Sequence, residues 1–136
     1  MRKEALCGAA IEAMGKAYAP YSGYKVGAAL LTADGKVYTG CNIENASYTP
    51  TVCAERTAIF KAVSEGDRDF AMIAICGGKD GVITSAFPPC GVCRQVMAEF
   101  CGKDMPVLMV SGESAYTECT LGELLPYAFG TEYIGK

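Results

Sequence analysis

The sequence predicts an α/β fold, a three-layer α/β/α sandwich around a mixed sheet of about five strands. Three observations carry this expectation. Helix-like and strand-like segments alternate along the chain, which places helices on both faces of a sheet. Residues 71–76 and 106–110 are almost continuously apolar, as strands buried on both faces are. Ala33-Asp34-Gly35-Lys36 carries the Asp-Gly hairpin signal between two strand-like segments, so the sheet is not purely parallel. A length of 136 residues fits one domain, 1–136, and 51% apolar against 20% charged residues allows a full core.

Residues 4–18 read as an amphipathic helix with Leu6, Ala10, Ala13, Met14 and Ala17 near one stripe. Pro20 follows in a Tyr-rich loop. Residues 24–31 and 37–43 form the two arms of the hairpin. Residues 53–64 read as a helix with Ala58, Ile59, Ala62 and Val63 inward. The strand at 71–76 is expected to end at Gly77-Gly78. Residues 90–100 make a third helix, stopped by Gly102. The strand at 106–110 and a short one at 116–119 follow, and Thr120-Leu121-Gly122-Glu123 fits a capping box opening a last short helix.

The net charge is −3, and the twelve Lys and Arg are scattered singly apart from Arg2-Lys3. A nucleic-acid binder is expected to show a basic face, so no nucleic-acid partner is expected. No run of eighteen apolar residues is present, so no membrane span is expected. The start, Met1-Arg2-Lys3-Glu4, does not read as a secretory signal, which points to a cytoplasmic protein. There, the eight cysteines are not expected to pair as disulfides. Cys7, Cys41, Cys76, Cys101 and Cys119 are expected to be small buried hydrophobes.

The other three cysteines need a different account. Cys53-Ala54-Glu55 and Pro89-Cys90-Gly91-Val92-Cys93 each fall at the expected start of a helix. One helical turn brings Cys90 and Cys93 to the same side. Helix N-termini favour thiolate over thiol. Zinc takes tetrahedral N or S ligands, and the chain contains no histidine. Cys53, Cys90 and Cys93 therefore make a three-ligand set with one open position, the arrangement of a catalytic Zn²⁺, one per chain. A Glu in a first helical turn ordinarily complements the helix dipole. Beside these cysteines, Glu55 can reach the water at the open position and carry its proton to a substrate. Three thiolates also leave the metal with excess negative charge, which hydrogen bonds from Arg56 to the sulfurs would temper.

Two other readings of these residues stay open. A structural zinc module would need a fourth protein ligand, such as Cys41 or Cys76, and would leave Glu55 idle. A thiol oxidoreductase built on Cys90 and Cys93 would leave Cys53 and Glu55 unexplained.

The order Cys-Ala-Glu, then a distant Pro-Cys-x-x-Cys, resembles the zinc deaminases. The whole chain is similar to the short, homotetrameric cytidine deaminases. The matching stretches are Ala19-Pro20-Tyr21-Ser22, Val26-Gly27-Ala28-Ala29-Leu30-Leu31, Gly40-Cys41-Asn42-Ile43-Glu44-Asn45-Ala46, Cys53-Ala54-Glu55-Arg56-Thr57-Ala58, Pro89-Cys90-Gly91-Val92-Cys93-Arg94-Gln95 and Glu123-Leu124-Leu125-Pro126. The resemblance implies hydrolytic deamination of cytidine and deoxycytidine by a zinc-activated water with Glu55 as proton shuttle. A related zinc deaminase of another aminopyrimidine is the alternative. It further implies that the Ala54 N–H binds the pyrimidine carbonyl, that Asn42 and Glu44 bind the ribose, and that Phe129 stacks on the base from a neighbouring subunit of a homotetramer. Two positions depart from the family. Tyr24 stands where Phe is usual against the sugar and base. Pro88 stands where Ser or Thr is frequent, and keeps the backbone carbonyl that would receive the departing amine. Asn42 and Glu44, alternating on a strand and so sharing a face, suit a nucleoside hydroxyl and argue for a free nucleoside substrate.

Overall fold

Alternation in the central strands builds two cores, one on each side of a single sheet. The computed structural model describes residues 1–135; Lys136, the last residue of the expected domain, lies outside the described residues. The elements run α1 (Lys3–Met14), β1 (Tyr24–Thr32), β2 (Val37–Cys41), α2 (Ala54–Ser64), β3 (Phe70–Lys79), α3 (Gly91–Phe100), β4 (Pro106–Gly112), β5 (Ala115–Thr120) and α4 (Leu121–Leu124), with a 3₁₀ turn at Thr131–Ile134 that was not foreseen. The sheet order is β2-β1-β3-β4-β5. Only β3 and β4 pair in parallel; the other three pairs are antiparallel, so the five-stranded sheet is mixed as expected.

On one face Val26, Ala28 and Leu30 of β1, Ile73 and Ile75 of β3, and Val107 and Met109 of β4 pack under α2 and α3. The intervening residues, Ala29 and Leu31, Met72, Ala74 and Cys76, Leu108 and Val110, pack under α1. This period of two is what a strand buried on both faces requires. The candidate residues Cys53, Glu55, Cys90 and Cys93 gather where α2 and α3 begin.

Several boundaries differ from expectation. α1 stops at Met14, so Ala17 falls in the turn beyond it. Gly15 costs helix stability, and the chain leaves through Lys16 N–H to Ala13 C=O and Ala17 N–H to Met14 C=O bonds. β2 ends at Cys41, not at residue 43. Asn42 N–H still donates to Val26 C=O, but the reciprocal bond is diverted. Val26 N–H donates to the Asn42 side-chain Oδ1, and Tyr18 N–H takes the Asn42 carbonyl. A side-chain amide thus stands in for a rung of the ladder and closes it.

β3 runs through Gly77-Gly78 to Lys79, where the pair was expected to end the strand. The glycines make room beside the strand. A Cβ on Gly78 would lie 1.8 Å from the Val82 carbonyl oxygen, and one on Gly77 would lie 2.9 Å from the Phe87 ring. Gly40 does the same for α2, since its Cβ would meet the Ala54 carbonyl oxygen at 2.5 Å. The first turn of α2 therefore lies directly against β2. The Thr120–Glu123 capping box forms as expected.

Candidate active site

Each cysteine cluster sits at a helix start because the cysteine itself is the last extended residue. Cys53 (φ −77°, ψ 157°) precedes α2, and Cys90 (φ −69°, ψ 165°) precedes α3. Neither helix has a side-chain cap, so the N-cap side chains leave the first-turn N–H groups unpaired and the positive end of each helix dipole uncompensated there. The Cys53 and Cys90 sulfurs are 3.7 Å apart, and those of Cys90 and Cys93 are 3.5 Å apart. A tetrahedral site with Zn–S of about 2.3 Å has ligand sulfurs roughly 3.8 Å apart, so the triad fits zinc closely. Cys53, Cys90 and Cys93 form the group of metal-ligating side chains identified among the described residues, within 4.8 Å of one another.

The fourth ligand that a structural module needs is not supplied by either cysteine considered for it. Cys76 is buried on the α1 side of the sheet, donating to the Met14 sulfur at 3.8 Å. Cys41 donates to the Lys16 carbonyl. Cys7 and Cys76 are fully buried, as expected. Cys101 and Cys119 are half-buried against the α2/α3 core, and Cys41 is also only half-buried.

Charge is unevenly distributed over the triad. A hydrogen bond shared with Cys93, followed by the Arg56 guanidinium, draws the Cys53 thiol down to about 5. Cys93 is pushed upward, first by the same shared hydrogen bond and then by burial. Arg56 Nη2 donates to Cys53 Sγ at 3.2 Å, the contact expected for it, while its buried Nε has no partner. Glu55 is 2% exposed. Burial pushes its carboxyl up to about 7, and Oε1 has no hydrogen-bond partner. A buried carboxylate oxygen left unpaired is costly unless it serves a ligand.

Glu55, Cys53 and Cys90 open into a cavity of about 380 Å³, within the usual span of small-molecule sites, about 300–1,000 Å³. Asn42 and Glu44 line it too. Asn42 is held twice: Oδ1 accepts from Val26 N–H at 2.9 Å, and Nδ2 donates to the Tyr24 carbonyl at 2.8 Å. Glu44 accepts from Tyr21 N–H, Ser22 N–H and the Ser22 hydroxyl, which, led by that hydroxyl, hold its carboxyl below the usual range. Pro88 is also part of the wall. Ala54 is fully buried at the first position of α2.

Two expected residues are placed elsewhere. The Tyr24 ring is 51% exposed, outside the cavity lining, with the Lys79 ammonium 5.5 Å above it. Phe129 is 58% exposed and stacks on Tyr133 at 5.5 Å, away from the cavity of its own chain. Its carbonyl accepts from Gln95 Nε2.

Sequence reasoning missed four contributors. Phe87 and Val52 supply apolar wall; the only local hint was Phe87 beside Pro88-Pro89. Ser22 fastens Glu44. Arg94 donates through Nε to the Pro89 carbonyl at 2.8 Å and through Nη1 to the Leu124 carbonyl at 2.7 Å, tying the cysteine loop to the end of α4. Its place directly after Cys93 was the available signal.

Known proteins agree with this geometry. The family model described as "Cytidine and deoxycytidylate deaminase zinc-binding region" matches residues 1–109. The chain is 48% identical over 132 residues to the cytidine deaminase of Sporosarcina psychrophila, covering 97% of this chain and 94% of that one. It is 51% identical over 132 residues to the cytidine deaminase of Halalkalibacterium halodurans, covering 97% of each. The crystal structure of cytidine deaminase from Burkholderia pseudomallei superposes with a TM-score of 0.87 at 48% identity, covering 95% of this chain and all of that one. The zinc-binding region and the three-cysteine cluster together account for one zinc per chain. A chain with this sheet, this sulfur triad and these relatives belongs to the cytidine and deoxycytidylate deaminase zinc-binding family.

Proposed function

We propose that this chain is an enzyme that hydrolyses cytidine and deoxycytidine to uridine and deoxyuridine with release of ammonia. The observation that carries the reading is the unpartnered, buried Oε1 of Glu55 beside the three-sulfur cluster, in a cavity that Asn42 and Glu44 also line. Cys53, Cys90 and Cys93 hold the metal. Bound there, zinc supplies Lewis acidity that makes water an effective nucleophile near neutral pH.

The residues of the chain do the rest. Glu55 takes a proton from the attacking water at its carboxylate and delivers it to ring N3 as the new C4–O bond forms. It then carries the second water proton to the C4 amine, the C4–N bond breaks, and ammonia leaves with the C4 carbonyl in place. The Ala54 N–H at the start of α2 donates to the pyrimidine carbonyl. The Pro88 backbone carbonyl receives the departing amine. Arg56 draws charge from Cys53. Asn42 and Glu44 bind the sugar. Tyr24 contacts sugar and base from the rim, its carbonyl already tied to Asn42.

One domain spanning the chain carries this activity in a cytoplasmic homotetramer with shared active sites. Phe129, exposed and outside its own cavity, reaches the base bound by a neighbour. Net charge of −3 and a carboxylate at the sugar end disfavour polynucleotides.

The test is turnover of cytidine, deoxycytidine, cytosine and a cytosine-containing oligonucleotide, followed by ammonia release and ultraviolet absorbance. The two nucleosides should react. A site built for a hydroxyl rejects ligands that lack it, so cytosine should be very poor and the oligonucleotide inert. Equal turnover of cytosine or the oligonucleotide would overturn the reading. Sedimentation should give a mass near four chains, and a fully active monomer would overturn the shared site.

A further inference from the structure

Glu44 is the most heavily hydrogen-bonded side chain facing the cavity. An ionised carboxylate offers about four lone-pair directions. Tyr21 N–H and Ser22 N–H donate to Oε1 at 3.0 and 3.1 Å, which fills that oxygen. The Ser22 hydroxyl donates to Oε2 and occupies one of its two directions. A single acceptor direction is left, on Oε2, in a side chain that lines the cavity.

An ionised carboxylate has no proton to give, so in the Ser22–Glu44 pair the hydroxyl is the donor. Tyr24 N–H donates to Ser22 Oγ at 3.0 Å and holds that oxygen in place. The Ser22 carbonyl in turn accepts from the Lys79 ammonium at 2.9 Å, which anchors the loop to the end of β3. Ser22 itself is exposed and does not line the cavity.

We propose that Ser22 is the positioning residue that leaves Glu44 with one acceptor direction and aims it at a single hydroxyl of the nucleoside sugar. This rests on the reading of Glu44 as the sugar-hydroxyl acceptor. Without the Ser22 hydroxyl, Oε2 has two open directions and is free to take water in either, so its preference for one substrate hydroxyl falls. The carboxylate remains held by two N–H groups on Oε1, so the loop is not released.

Deoxycytidine and 2′,3′-dideoxycytidine differ only in the 3′-hydroxyl, and comparing them on Ser22→Ala, Ser22→Thr and Glu44→Ala isolates the effect. Ser22→Ala should raise KM for deoxycytidine about tenfold with kcat little changed, the order expected when a hydrogen bond to a charged group is degraded. KM for dideoxycytidine should move by less than about twofold, and Ser22→Thr, which keeps the hydroxyl, should behave as the parent. A purely structural Ser22 would weaken both substrates alike, and that result, or no change for either, overturns the proposal. Glu44→Ala distinguishes the two levels. If it discriminates between the substrates while Ser22→Ala does not, only the role of Ser22 fails. If Glu44→Ala affects both substrates equally, the reading of Glu44 fails with it.

Discussion

The two ends of the cavity satisfy their polar groups in opposite ways. At the proposed sugar end, Asn42 and Glu44 make five hydrogen bonds to the chain itself, four of them with backbone groups. At the metal end, Glu55 Oε1 and Arg56 Nε are buried without a partner, and three sulfurs crowd within 4.8 Å. At the proposed sugar end the polar side chains are already held by the chain, so such an end would select by shape and hydrogen-bond direction at little ordering cost. The metal end leaves desolvated polar atoms unpaired, which the proposed function pairs with metal, water and substrate. Stability and function should therefore separate at one end and coincide at the other.

The largest effect expected is on Cys90→Ala. Removing one of three sulfurs should abolish zinc retention and turnover together, as read by metal analysis and by the deamination assay. Full zinc content with full activity would break the contrast at its root.

Next is Glu55→Gln. Turnover should fall roughly 10²–10⁴-fold, the usual contribution of a positioned proton carrier, while zinc content stays. Because burial already opposes the Glu55 charge, the neutral amide should leave the melting temperature unchanged or higher. A large loss of stability would mean that Glu55 is structural.

Asn42→Ala probes the sugar end, where both properties should suffer. It removes the acceptor for Val26 N–H and the donor for the Tyr24 carbonyl. Stability should drop by about 1–3 kcal/mol, and KM should rise as well. A variant with an unchanged melting temperature would show that the sugar end is not pre-built.

Smallest is Arg56→Ala. One hydrogen bond to Cys53 is lost, so turnover should decline by about tenfold or less, with KM changing little. A rise in KM alone would move Arg56 from the metal end to substrate binding.

These contrasts mark how far the sequence could be read. Local signals placed the strands and helices of the sheet, because continuous apolar runs, an Asp-Gly turn and a capping box are short-range patterns. The sulfur triad was legible for a related reason. Two helix starts carry their cysteines in fixed local frames, and a histidine-free chain narrows the ligand choice. What escaped was set by distant partners. β2 stops at Cys41 because Asn42 bonds to Val26, sixteen residues away. Gly77-Gly78 looked like a strand end but makes room for Val82 and Phe87.

By itself the sequence determined the α/β class, the mixed sheet and the identity of the residues that meet at the two helix starts, since each depends on periodicity and spacing within a few turns of chain. Only the tertiary structure decided which of those residues are satisfied and which are left unpaired. Glu44 is fastened by a loop twenty-two residues away, with one acceptor direction left open, and Glu55 is desolvated at a position where a first-turn Glu is ordinarily hydrated. Burial and hydrogen-bond partnership arise from segments that the fold brings together, and a linear pattern carries no record of that distance.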